Sequence, residues 1–389
     1  MREIDLSSTA ERGLRGLVAA ILAAVLAGGV VWLIANSQLT SWDFRNNLWA
    51  PAYLLLQGQS PYDLSGLYDL GNPVWLPMVI GFFFPLGWLP LPQAAMVWQL
   101  GSVAVMVAVV WLVAEQKRPL LLPFMLGLLA IGLYPRMLAH LQLGQFSLLA
   151  ILLYLLSVKL LSRHLFWLAG LPVALALAKP QLGILAVMGL LIMAYHQAKG
   201  RGVGLLAASI AGWSILLMLP LFLLYPGWVP DFVAALRQNP SWVQPSLFSL
   251  LPAWLGWSGW VIWGILFAGA AVVNGWLWSQ RPGLLAMLGS LALTPLVSPY
   301  IWSWDFVLLL PLFVWALFRV RRLEAHGLLW VGYLLNWGLM LWVVLNTDGS
   351  DHYFWWGGWL LASVVVVALA WQKRYGLALN YVEDGISGG

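Results

Sequence analysis

The chain has 389 residues, 62% of them hydrophobic and 8% charged, with a mean hydropathy of +0.86 and a formal net charge of +5. No soluble core could hide that much apolar surface, and the lack of cysteine excludes disulfides, thiolate metal sites and cysteine nucleophiles. A pI near 9.5 does not point to nucleic acid here, because the cations are scattered singly between apolar runs and form no patch.

Apolar runs recur from end to end, each near the ~20 residues that cross a hydrocarbon layer about 30 Å thick. Lipid offers backbone groups no partners, so such spans must be helices; the short alternating strands of a barrel are absent. An all-α polytopic membrane protein is expected, one domain over 1–389 without repeat, linker or soluble part. The first run is too long for a signal-peptide core and is read as a retained span. Predicted spans cover 14–35, 93–114, 118–134, 145–161, 165–178, 181–196, 203–225, 258–278, 283–298, 304–318, 327–345 and 354–372, about twelve transmembrane helices. One segment, 74–92, is left over.

Lys and Arg gather on the cytoplasmic side of membranes. Of the 19 cations, all but Arg45, Arg136, Lys179 and Arg237 fall on one face if one early segment fails to span. The prolines of 74–92 favour that segment, and a re-entrant 118–134 is the alternative. Either choice places both termini in the cytoplasm and the loops 36–73, 226–245 and 346–353 outside.

Those outer loops carry the polar groups. The first holds Asp43, Arg45, Asp63 and Asp69, and within it residues 47–57 are expected as a helix lying on the membrane surface, with Trp49, Tyr53 and Leu56 on one side and Gly58 at its end. "YPRMLAHLQLGQFSLL" puts Arg136 and His140 four residues apart, on one helical face, ahead of Gln145. In "ALAKPQLG", Pro180 biases Lys179 out of helical geometry, so a helix should end there. "LVSPYIWSWDFVLLLPL" breaks the chain before Asp305. Each has an ordinary account: a capping acid at Asp43, a snorkelling Arg136, a cation at a helix C-terminus for Lys179, and a first-turn acid beside an aromatic belt for Asp305. Together they suit a membrane-embedded cleft open to the outer side. Histidine spacing supports no metal site, and Asp348, Asp351 and His352 read as a solvated loop. Phosphate-binding glycine loops and serine-nucleophile elbows are absent.

The order "DF…A…LLLxGxSPYD", "GQFSLLAILL", "LAKPQLG", "SPYIWSWDFVLLLP" resembles glycosyltransferase family 87, over about residues 41–312. Its best-known members are polyprenol-phosphate-mannose-dependent mannosyltransferases of the C-type membrane (GT-C) fold. The resemblance implies a GT-C-like fold and puts the proposed base of the "DF" motif at Asp43. "NPVWLP" departs from the tandem prolines of many members, and Trp304-Asp305 stands where some carry histidine. Both departures bear on sugar and acceptor more than on reaction type.

The chemistry fits the residues independently. A polyprenyl-phosphate sugar carries a charged leaving group, so the enzyme needs a base for the acceptor hydroxyl and cations for the departing phosphate. Asp43 is the expected base; Arg45, Arg136, His140, Gln145, Lys179, Gln181 and Asp305 are the candidate substrate or phosphate ligands. Direct displacement with one base implies inversion. The expected partners are a polyprenyl-phosphate sugar donor, a lipid-linked or glycan acceptor and membrane lipids, with no nucleic acid. No cofactor is called for, a divalent cation being left open. The expected place is a prokaryotic plasma membrane with an extracytoplasmic active site. A flippase or transporter of lipid-linked glycans should instead carry charges along a path through several spans, and a non-enzymatic scaffold does not explain the far-face cations.

Overall fold

The computed structural model describes residues 6–36, 42–67, 73–115, 121–238 and 243–374. Asp69, the 116–120 loop with its two cations, and both chain ends lie outside the described residues. Every regular element described is helical. In chain order these are α1 (Leu6–Ala35), α2 (Trp42–Phe44), a π-helical turn (Arg45–Trp49), α3 (Ala50–Leu56), α4 (Met78–Phe83), α5 (Leu91–Ala114), α6 (Leu121–Gly132), α7 (Pro135–Leu143), α8 (Ser147–Leu161) and α9 (Phe166–Ala176). There follow α10 (Ile184–Leu224), α11 (Trp228–Gln238), α12 (Leu247–Leu255), α13 (Trp257–Gln280), α14 (Leu284–Val297), α15 (Leu310–Arg319), α16 (Leu323–Asn346) and α17 (Trp355–Arg374).

A helix stands at each predicted span, and 181–196 and 203–225 form the two arms of α10, which breaks at Ala198 and Lys199. Length sorts the helices into two kinds. Among the described residues five stretches, namely α5, α10, α13, α16 and Asp351–Arg374, are long and apolar enough to cross a membrane unaided, and α6 with α7 would make a sixth. The helices α8, α9 and α14 are shorter, and α8 and α14 lie largely buried among their neighbours. A helix wrapped by protein does not need to match the lipid thickness. The outer helices instead carry bare apolar side chains such as Leu223, Val272, Trp276 and Leu345, a surface that calls for lipid and not water. The chain is an integral membrane protein.

The leftover segment 74–92 holds α4 and a 3₁₀ turn, Phe84–Trp88. Met78–Trp88 reaches about 17–20 Å, too short for a span. The rival segment is also irregular, since α6 and α7 bend by 68°. The cause is Pro135, which lacks an N–H and holds Tyr134 extended at ψ 133°.

The first loop corrects one expectation. Its helix is there, wider than predicted at 42–56 and followed by Gly58 at φ +68°, but it does not lie open on a membrane surface. Phe44, Leu48, Ala50 and Leu55 are wholly buried, Trp49 stacks on Tyr53 at 5.1 Å, and Trp49 Nε1 donates to Leu89 O at 2.9 Å. Of the three side chains expected on the lipid side, Trp49 is buried by protein and Tyr53 and Leu56 are half-buried.

Close packing of α4 on α10 depends on Gly81, where a Cβ would stand 1.6 Å from Leu217 O. A backbone oxygen cannot swing aside. Gly81→Val is expected to lower stability by about 1–3 kcal/mol or more, read as a reduced thermal midpoint in detergent.

Candidate functional site

Four breaks in the helical pattern converge. The first is the π-helical turn after Asp43, a wide turn of the kind often found at functional sites. It sets Asn47 against Asp43: Asn47 Nδ2 donates to Asp43 O at 3.3 Å and to Oδ1 at 3.2 Å, while its Oδ1 accepts from Val74 N at 3.1 Å. The second is the end of α7 at Gly144, φ +68°, whose N–H bonds back to the last turn. A Cβ there would stand 2.5 Å from Phe44 Cβ, so glycine serves both the left-handed backbone and the approach of the Asp43 helix. The third is Lys179, at φ −119° before Pro180, where the helix ends as expected. The fourth is the extended stretch before the 3₁₀ helix Ser303–Leu309.

These breaks bring four side chains into one chain of contacts. Gln145 Nε2 donates to Asp43 Oδ2, and Gln145 Oε1 accepts from Lys179 Nζ at 2.6 Å. The amide has no choice of orientation, since an ammonium only donates and a carboxylate only accepts. Lys179 Nζ lies 3.7 Å from Asp305 Oδ1 and 4.8 Å from the centre of the Trp75 ring. Asp305 also accepts from Ser147 Oγ and, at 3.2 Å, from Trp302 N.

Lys179 is 4% exposed and Asp305 1% exposed. A helix-end cation facing water does not describe Lys179: its charge is buried and neutralised by Asp305. The two carboxylates therefore differ. Asp305 has a cation beside it, whereas among the described residues Asp43 is met by the amides of Gln145 and Asn47. Burial of the Asp43 carboxyl pushes its pKa up to about 6, Lys179 opposing the rise and Asp305 adding to it. Carboxyls set apart in this way are suited to different tasks.

A second cluster adjoins the first through the Ser303–Leu309 turn. Arg136 donates to Ser303 Oγ at 2.6 Å and to Asp351 Oδ1 at 2.5 Å, and Asp351 also takes Ser303 N at 2.8 Å. The guanidinium lies over Phe354 at 4.3 Å. Arg136 is thus held by protein and not left snorkelling, and Asp351, read as a solvated loop acid, is its counter-ion. His140 is 1% exposed; its Nδ1 lies 3.3 Å from Trp304 O, and its Nε2 has no partner among the described residues. Arg45 Nε donates to Asn46 Oδ1 at 2.8 Å and the guanidinium lies 5.5 Å from the centre of the Trp42 ring. Gln181 enters through its backbone, accepting from Ser298 Oγ at 3.1 Å.

Gln145 also lines a cavity of about 320 Å³ between α4 and α5, walled by Phe82, Phe83, Leu86, Val105 and Leu149. A polar chain of contacts thus abuts an apolar groove. A larger cavity, about 610 Å³, lies near the other ends of α8 and α14, about 20 Å along each helix, beside Lys159 and Leu284.

The glycosyltransferase family 87 model matches residues 76–299, more than half of the chain. The chain belongs to glycosyltransferase family 87. No individual curated protein matches it. Membership in family 87 makes it a membrane glycosyltransferase. The match contains Gln145 and Lys179 but stops short of Asp43 and Asp305, so for those two the geometry speaks by itself.

Sequence reading missed Asn47, Ser147, Ser303 and Asp351. Asn47 had a findable signal, four residues after Asp43 on a helix, and Ser147 sits two residues after Gln145. Asp351 had none, because its partner lies 215 residues away.

Removing one member of a buried pair strands the other charge. Asp305→Ala is expected to cost about 3–5 kcal/mol, and Asp305→Ala combined with Lys179→Met should recover part of that loss. Denaturant unfolding in detergent measures both.

Proposed function

We propose that this enzyme transfers a hexose, mannose by family resemblance, from a polyprenyl-phosphate donor to a hydroxyl of a lipid-linked or glycan acceptor, with inversion, at the outer face of a prokaryotic plasma membrane. One observation carries the reading: Asp43, a carboxyl with no ion pair among the described residues, stands one amide away from both a buried ammonium and an apolar groove. An amphiphile with an anionic head needs that combination.

In this reading the isoprenoid chain lies in the groove and the phosphate faces Lys179. The acceptor oxygen attacks the anomeric carbon and its proton passes to Asp43. The bond from that carbon to the phosphate oxygen breaks, and the electron pair stays on the polyprenyl phosphate. Asn47 donates to one Asp43 oxygen and Gln145 to the other, which fixes the carboxyl's orientation and leaves each oxygen a lone pair for the proton. Lys179 supplies positive field where charge collects on the leaving group, held in place by Asp305. Asp43 and Lys179 suffice for this chemistry without a metal. Transport is the weaker reading, since among the described residues the buried acidic, basic and histidine side chains, His140, Lys179 and Asp305, lie together at this site and not along a path.

A base works ionised, so transfer should rise with pH and level off above about 6, the value to which burial lifts Asp43. Asp43→Asn should lower the rate by about 10²–10⁴ and remove that limb, with the thermal midpoint retained. Parent-like turnover by Asp43→Asn with a polyprenyl-phosphate mannose donor would refute the base.

The groove is tested separately at Gly101, which lines it and where an added Cβ meets nothing within 4 Å. Gly101→Leu should raise the KM for long-chain donors with little change in stability, and less so for a donor with a short chain. The sidedness is tested in this cysteine-free chain by a cysteine at the exposed Ser65, expected to react with impermeant reagent from the outside only.

A further inference from the structure

The groove wall contains one hydrogen-bonding group that nothing among the described residues uses. Trp98 is 7% exposed, lines the 320 Å³ cavity, and its Nε1 has no partner among the described residues. The other polar groups of that wall are engaged: Ser102 Oγ donates to Trp98 O at 2.9 Å, and Gln145 is held at both ends of its amide. A buried N–H without an acceptor is costly, so it is kept where something else supplies the acceptor.

Its position says what that acceptor is. The Trp98 ring stacks on Phe44 at 5.4 Å, next to Asp43, and meets Phe83 edge-on at 5.3 Å on the groove side. Nε1 lies beside the turn that carries Gln145, since a Cβ on Gly144 would stand 3.3 Å from it. The indole nitrogen therefore sits where the apolar groove gives way to the polar contacts. An indole N–H only donates, so its ligand atom must be an acceptor, and the buried ammonium of Lys179 on the far side of Gln145 favours an anionic one.

We propose that Trp98 is a donor-binding residue whose Nε1–H donates to a phosphate oxygen of an isoprenyl phosphate seated in the groove. The assignment rests on the polyprenyl-phosphate reading above and adds a phosphate contact from an uncharged donor, stronger to a charged phosphate oxygen than to a hydroxyl. Trp98 thereby separates a phosphorylated isoprenoid from its alcohol at the groove mouth, while the ring keeps the Asp43 helix in place by packing.

The test compares geranylgeranyl phosphate with geranylgeraniol, binding measured by calorimetry in detergent to the parent, to Trp98→Phe, and to the protein with β-benzothienylalanine at position 98, which keeps the bicyclic shape and replaces N–H by sulfur. The parent is expected to prefer the phosphate. Both replacements should weaken phosphate binding about tenfold or more, as for a hydrogen bond to a charged group, and leave the alcohol within about twofold. If Trp98→Phe folds poorly, the isosteric residue decides. Equal loss for phosphate and alcohol, or an unchanged phosphate preference with sulfur in place of N–H, overturns the Trp98 role while the donor reading stands. A parent that binds neither ligand overturns the donor reading and Trp98 with it.

Discussion

A buried ammonium dictates the local architecture. Lys179 is nearly inaccessible, and in a low-dielectric interior its charge persists only if a counter-charge and hydrogen-bond acceptors reach it. Asp305 and Gln145 do so, and they come from far apart in the chain. Gln145 in turn can satisfy Lys179 only by turning its Nε2 outward, where Asp43 meets it. The placement of the proposed base thus follows from the neutralisation of a lysine it does not touch.

The same constraint explains why the chain breaks its helices where it does. A lysine inside a helix could not swing toward a neighbour's first turn, and Pro180 frees it by ending α9. Gly144 ends α7 in a left-handed turn so that Gln145 starts outside a helix, and its missing side chain leaves room for Phe44. Charge satisfaction and close approach are solved by the same few residues. A mutation at either would disturb both.

Much of this was legible in the sequence because it is local. Apolar runs long enough for helices, the stop before Pro180 and the turn at Gly144-Gln145 are short-range signals, and the helices fall where they were expected. Asp43, Gln145, Lys179 and Asp305 were candidates from residue type and far-face position, and the structure joins them. What escaped was tertiary. Apolarity says that a segment avoids water but not whether lipid or protein covers it, so residues 47–57 read as a surface helix although the helical stretch at 42–56 packs against protein. Likewise Asp351 reads as a loop acid until the fold delivers Arg136 to it.

Arg136 shows why position alone does not make a phosphate ligand. Its cation is already balanced by Asp351 at 2.5 Å, and Ser303 accepts a further N–H, so recruiting it to a substrate would mean giving up a close ion pair and a second hydrogen bond. Lys179 is balanced too, but by a carboxylate at 3.7 Å, against 2.5 Å between Arg136 and Asp351, so less contact is given up when the ammonium leans toward an incoming anion. The two cations look alike in sequence, each a lone cation away from the other basic groups. Their partners divide the labour: Arg136 fastens the loop before α17 to the Ser303–Leu309 turn that presents Asp305, and Lys179 faces the groove through Gln145.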